Sequence, residues 1–326
     1  MRDARAFTLE PFEPLRHAEA VFALWREALG DAYPVAERVF IQNVYGNPYY
    51  EAGDGLVAVR RGRMAGFALA KLDRSMPPRR EGAVGIVLVH PAHRRRGLGR
   101  RLALAEIERL RSLGVEGVGA GSPALYRFWP GVPADLEAGR LFFESLGFPL
   151  RRGIFDLVRS LADYEPPDRV RRDLERAGVE IGPARREEVP DILRFEQIHF
   201  PFWLDNFQTI IGLGGQEEIV VARERSGEVV GTLCSYSPAS RFRSANLAWE
   251  TLLGSSVGGL GSVGVAESRR GRGIGLALCA EALRLLKGRG VGQCHVDWTG
   301  HVDFYGKLGF RVWREYWMGV LPAQKA

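Results

Sequence analysis

The sequence predicts an α/β (α+β) protein built from two similar halves, and three observations carry that expectation. Its 326 residues exceed what one compact core usually organises. A motif of arginine and glycine occurs twice, in HPAHRRRGLGRRLA (90–103) and SRRGRGIGLALC (268–279). Gly97 and Gly273, like Gly99 and Gly275, stand 176 residues apart. Strand-like and helix-like runs follow the same order around both copies, which makes this a repeat at domain scale.

Each half opens with a short strand, a turn and an amphipathic helix: ARAFTLEPFEPLRHAEAVFALW in the first, GVEIGPARREEVPDILRFEQ in the second. A strand pair follows, 55–60 with 64–72 and 218–224 with 229–236. The apolar runs 84–89 and 263–265 then lead into the two glycine motifs. After each motif, apolar residues step by three and four, as Leu98, Leu102, Ala105 and as Ile274, Leu278, Ala282, and stop at Gly114 and Gly290. A further short strand follows at 115–119 and 292–297. A last helix ends in aromatic-x-x-x-Gly-Phe: Phe143 to Phe148, and Tyr305 to Phe310. Two prolines and several charges at 163–173 break the periodicity, so the expected domains are 1–164 and 165–326.

Composition narrows the class. Hydrophobic residues at 46% and charged residues at 26% suit a globular chain. No run of 18 apolar residues appears, and MRDARAFTLEPFEP lacks a signal-peptide core, so no membrane association is expected. Cys234, Cys279 and Cys294 lack zinc spacing and read as reduced thiols of a cytoplasmic protein. His295 and His301 share neither a strand face nor a helix face, and no metal is expected. The net charge of +6 is spread widely, without a basic stripe interleaved by aromatics, so nucleic acid is not an expected partner.

A strand, a tight Gly-x-Gly turn and a helix turn consecutive backbone N–H groups outward, where the helix dipole favours an anion. Glycine lets that anion approach, and arginine adds fixed charge. Pyrophosphate is the implied ligand. The P-loop and the Rossmann fingerprint are excluded: no Gly-Lys-Ser/Thr follows, and the third glycine position holds Leu102 and Leu278.

With these residues the chain resembles a tandem GNAT (GCN5-related N-acetyltransferase) protein over nearly its whole length, twice. The matching positions are Val87, Leu88, Val89, Pro91, Arg94, Gly97 and Gly99, then Val263, Gly264, Val265, Arg270, Gly273 and Gly275, with the Phe304-Tyr305-x-x-x-Gly309-Phe310 ending. The resemblance implies in each half a twisted, mixed, mostly antiparallel sheet flanked by helices. It also implies acetyl-CoA as cofactor, with its pyrophosphate on Arg94, Arg95, Arg96, Gly97, Leu98, Gly99 and Arg100, and on Arg270, Gly271, Arg272, Gly273, Ile274 and Gly275. The strand before each turn is implied to splay from its neighbour, its free backbone holding pantetheine and polarising the thioester near Val89 and Val265.

The copies differ. Glu267 replaces Pro91, and Phe143 stands where the second half has Tyr305. The asparagine common in the family before the last helix is absent from both, near Leu136 and Trp298. The first half also carries an aromatic insertion around 121–135, which either packs on the core or contacts ligand. Tyr305 is the expected acid for the leaving thiolate, since a phenol near 10 and a thiol near 8.5 are closely matched; Tyr126 or water is the alternative in the first half. Glu250, placed on a central strand, and Asp297, ending the strand after the motif helix, are candidate bases, with a structural role open for both. The expected function is acetyl transfer to the amine of an unidentified small-molecule or peptide acceptor by direct attack. The alternative is a CoA-binding scaffold with one or both halves inactive. A pseudo-symmetric monomer or a homodimer would each fit.

Overall fold

The computed structural model describes residues 6–72, 81–122, 125–168, 170, 172, 176 and 178–322. By its contacts the chain forms two compact units, Met1–Ile154 with Glu315–Ala326, and Phe155–Arg314. The sequence places one division at 164/165. The units instead interrupt each other in the chain, because residues 155–160 pair within the second unit while the last strands pair within the first. Of the expected link at 163–173, residues 169, 171 and 173 lie outside the described residues.

Unit 1 runs β1 (Thr8–Pro11), α1 (Pro14–Leu29), α2 (Glu37–Val44), β2 (Gly55–Arg60), β3 (Arg63–Leu72), β4 (Glu81–Val89), α3 (Leu98–Ser112), β5 (Gly117–Ala120), β6 (Val132–Pro133) and α4 (Glu137–Ser145). β7 (Arg151–Ser160) then carries the chain into unit 2. The sheet of unit 1 is ordered β1-β2-β3-β4-β5-β14, with β14 (Val320–Pro322) supplied by the end of the chain. Only β4 and β5 pair in parallel; the other registers are antiparallel. α3 lays Leu98, Leu102, Ile107 and Leu110 against this sheet, each at most 2% exposed, and burying each such side chain is worth about 1.5–3 kcal/mol.

Unit 2 repeats the plan: β8 (Val179–Pro183), α5 (Val189–His199), α6 (Leu204–Gly212), β9 (Ile219–Glu224), β10 (Val229–Tyr236), α7 (Glu250–Leu253), β11 (Val257–Val265), α8 (Ile274–Gly288), β12 (Gln293–Thr299) and α9 (Val302–Gly306). Its strands follow the order β8-β9-β10-β11-β12-β7, with β11 and β12 the parallel pair. β13 (Arg311–Met318) leads back to unit 1, where its second half pairs with β6. The expected fold class holds: two mixed, mostly antiparallel sheets flanked by helices.

The aromatic insertion of unit 1 packs on the core. Phe128 and Trp129 are buried, and Trp129 stacks on Trp25 at 5.3 Å and 8°. Residues 123 and 124 of it lie outside the described residues.

The apolar face of α3 also carries Glu106, fully buried between Leu102 and Leu110. Burial pushes its carboxyl from 4.5 up to about 8, outweighing Arg109, which pulls it down. The folded protein therefore holds a proton there that the unfolded chain has released, and stability falls as pH rises from about 4.5 to about 8. Glu106→Gln removes this dependence. Its stability relative to wild type, from urea unfolding, should rise through that window by up to about 1.4 kcal/mol per pH unit and then level. Parallel curves for the two proteins would contradict the assignment.

Candidate active site

The two glycine turns have the same backbone. Gly97 lies at φ 82°, ψ −1°, and Gly273 at φ 82°, ψ −5°, both left-handed and both capping a 15-residue helix. Two residues earlier, Arg95 and Gly271 are also left-handed. Neither helix receives a side-chain cap, and neither has an acidic residue in its first turn. The first N–H groups of each helix are therefore open to an anion.

The arginines divide into two roles. Arg94 Nε donates to the Val89 carbonyl at 3.2 Å, and Arg270 Nε to the Val265 carbonyl at 3.1 Å. Each ties its turn to the end of the preceding strand. Arg94 also donates to the Ala28 carbonyl at 2.6 Å. The exposed Arg95, Arg96, Arg100 and Arg272 supply the surrounding positive charge.

The strands before the turns splay at equivalent positions. β4 pairs with β5 only as far as Val84–Ala120, and β11 with β12 only as far as Leu260–Val296. Both limits again differ by 176 residues. Beyond them, 85–89 and 261–265 remain paired on one side only, to β3 and β10. A register shift sits at each fork, and in unit 2 it leaves Ser262 at φ 50°. Asn246 plugs the second fork: its Nδ2 donates to the Leu260 carbonyl at 2.7 Å. Phe200, at the end of α5, covers Gly264, so closely that a Cβ there would lie 2.5 Å from its ring. Both forks leave strand backbone unpaired on one side near a helix N-terminus, and they are where the expected Val87, Leu88, Val89 and Val263, Gly264, Val265 lie.

Side chains distinguish the two units. Gly119 and Gly121 of unit 1 correspond, across the matched forks, to His295 and Asp297 of unit 2. Phe143 packs on Phe148 at 5.1 Å, as Tyr305 packs on Phe310 at 5.7 Å. Tyr305 is buried. Burial, with Cys279 and the charge of Asp297, holds its phenol well above 10. Asp297 is half-buried, the first β12 residue past the fork, and its charge also acts on Tyr236 and His295.

Glu250 requires correction. It opens α7 rather than lying on a strand, and its Oε2 accepts from Arg243 at 2.5 Å. Its carboxylate is committed to that ion pair. Tyr126 is buried in unit 1. Sequence reasoning missed Asn246, and also Asp156, which reaches the fork from β7; a strand so far away in the chain gives no local signal. It missed Glu196 of α5 as well, a buried carboxyl that accepts from Thr232 at 2.5 Å and that burial pushes up to about 8.

The family model of the acetyltransferase (GNAT) family matches residues 18–129 and 183–310, which includes both forks and both turns. The chain belongs to the GNAT acetyltransferase family. It is similar to the mycothiol acetyltransferase of Mycolicibacterium gilvum, 30% identical over 77% of this chain and 76% of that one. The mycothiol acetyltransferase of Mycolicibacterium vanbaalenii is 27% identical over 79% of each chain. Among solved structures, a GCN5-related glucosamine N-acetyltransferase region of a fungal multi-domain GH3 β-N-acetylglucosaminidase superposes with a TM-score of 0.90 at 29% identity. It covers 97% of this chain, which spans 38% of that protein's length. A tandem GNAT protein of the clavulanic acid pathway shares the fold, with a TM-score of 0.63 at 15% identity. As a GNAT protein with two such domains, the chain is an acetyltransferase that transfers acetyl to an amine.

The two motif glycines do different work. Gly273 is needed for its left-handed backbone, whereas a Cβ on Gly275 would meet Val265 and Phe304 at ordinary distances of 3.6 and 3.7 Å. Gly273→Ala should lower the melting temperature, at a cost of about 1–2 kcal/mol. Gly275→Ala should melt at or above wild type, because alanine favours the helix by up to about 1 kcal/mol, yet it should lose affinity for CoA. Unchanged affinity would make Gly275 a packing residue only.

Proposed function

We propose that unit 2 transfers the acetyl group of acetyl-CoA directly to the amine of a small acceptor, and that unit 1 binds CoA through the same backbone frame without performing the chemistry. The observation that carries this reading is the electrostatic pairing of Tyr305 with Asp297 in unit 2, where unit 1 has Phe143 and Gly121. The uncapped helix N-termini, the exposed arginines and the glycines suit a pyrophosphate, and the one-sided strands suit a pantetheine amide chain.

Acetyl-CoA supplies the activated thioester. The N–H groups of the free β11 edge near Val265 polarise its carbonyl as negative charge develops. Asp297 takes the proton of the incoming amine, directly or through water, and leaves it neutral for attack. Tyr305 donates its proton to the departing sulfur. Because burial keeps the phenol protonated through neutral pH, this acid is in place at every turnover.

Glucosamine, named in the structural relative, makes an amino sugar the first acceptor to test. The mycothiol acetyltransferases likewise support a small-molecule amine over a peptide. Tyr305→Phe should retain CoA binding and lose about 100-fold in turnover, measured as thiol release from acetyl-CoA with glucosamine or the best amine of a panel. Wild-type turnover should show no alkaline fall below pH 10 from this residue. Full activity in Tyr305→Phe, combined with loss of activity on blocking Gly99, would move the chemistry to unit 1.

A further inference from the structure

Asp297 sits on an irregular stretch of β12. The ladder to β7 is regular through Val296–Leu157, then shifts before Thr299–Phe155. The residue after Asp297, Trp298, is left-handed at φ 46°. Such a backbone is costly for a tryptophan and persists only where its surroundings hold it. A bulge of this kind re-aims the side chains beside it.

One carboxylate provides that hold. Asp156 of β7 accepts the Trp298 N–H on Oδ1 at 3.0 Å, and its Oδ2 lies 3.5 Å from His295 Nε2. The other ring nitrogen, His295 Nδ1, lies 2.9 Å from the carbonyl of Asn246, the residue that plugs the fork. Asp156 and His295 are both almost fully buried. His295 precedes Asp297 by two residues, so the two share a face of β12. Around the imidazole stand Asp156 from β7, Asp297 from its own strand, the Asn246 carbonyl, and the Trp313 ring from β13 at 5.4 Å. Burial alone would lower the imidazole, but Asp156, Asp297 and the Asn246 carbonyl together outweigh it and hold the ring above its ordinary value. Asp156 and the Asn246 carbonyl thus stand at the two ring nitrogens, at 3.5 and 2.9 Å. Unit 1 has nothing comparable, since Gly119 stands at the matching place.

We propose that Asp156 and His295 are positioning residues that clamp the β12 bulge, fixing the Asp297 carboxylate at the mouth of the fork. Asp156 acts on the backbone through Trp298 and faces His295 with its other oxygen. This inference rests on the assignment of the chemistry to unit 2.

The two contributions can be separated. Asp156→Ala removes both the N–H acceptor and the charge. Asp156→Asn keeps an oxygen for the Trp298 N–H, removes the charge, and turns an amide donor toward His295. With acetyl-CoA and glucosamine, or the best amine of a panel, Asp156→Ala should lose about 10–100-fold in kcat, as expected for a displaced reacting group. Its KM for acetyl-CoA should stay within about twofold. Asp156→Asn should lose less, because it keeps an acceptor for the Trp298 N–H. In an Asp297→Asn background neither change should cost anything further. If Asp156→Ala fails to fold, Asp156→Asn carries the test. Full kcat in the variants, a loss expressed in KM, or an equal loss in the Asp297→Asn background would overturn the clamp while leaving the chemistry of unit 2 standing. A wild-type enzyme that binds acetyl-CoA and acetylates no amine would instead remove the assignment to unit 2, and the clamp with it.

Discussion

The site depends on a strand that is hydrogen-bonded on one side only. In the middle of a sheet every backbone N–H and C=O is normally paired, because leaving such groups buried and unsatisfied is costly. β4 and β11 break that rule at matched points, where their parallel partners turn away after Val84–Ala120 and Leu260–Val296. The remaining edge must be satisfied by something other than the sheet. A ligand with its own amide groups can serve as the missing strand, and the helix N-terminus a few residues on can take that ligand's phosphates. The glycine turn, the bracing arginine and the fork form one device: the strand aims at the turn, and Arg94 or Arg270 ties the two together.

Duplication preserved this device almost unchanged and altered the side chains around it. The backbone angles of Gly97 and Gly273 agree within a few degrees, and the forks open at the same register. Yet unit 1 offers glycine and phenylalanine where unit 2 offers His295, Asp297 and Tyr305. Binding through backbone places few demands on side chains and so survives divergence. Proton transfer needs titratable groups at defined places, and those differ.

Much of this was legible in the sequence, for a physical reason. Turns that need left-handed backbone announce themselves as glycine, and helices that pack on a sheet announce themselves by period. Gly97, Gly273 and the stripes of α3 and α8 are therefore legible in the sequence itself. Tyr305 was visible as a difference between copies. Long-range pairing was not visible. The exchange of β7 and β14 between units depends on which strands meet in space, and Asp156 reaches its place only through that exchange. Glu250 shows the same limit: it is next to Trp249 in the chain, but Arg243 decides what it does. Arg94 and Arg270 looked like ligand-binding cations, and each first braces its own turn.

The central claim is that the free edge of β11 receives the thioester. Amide hydrogen exchange of the full chain, with and without acetyl-CoA under conditions where calorimetry shows it bound, tests this most directly. The account predicts new protection at 261–265 together with 271–275. Binding without protection at 261–265, or protection confined to 85–89 and 95–99 of unit 1, would contradict it.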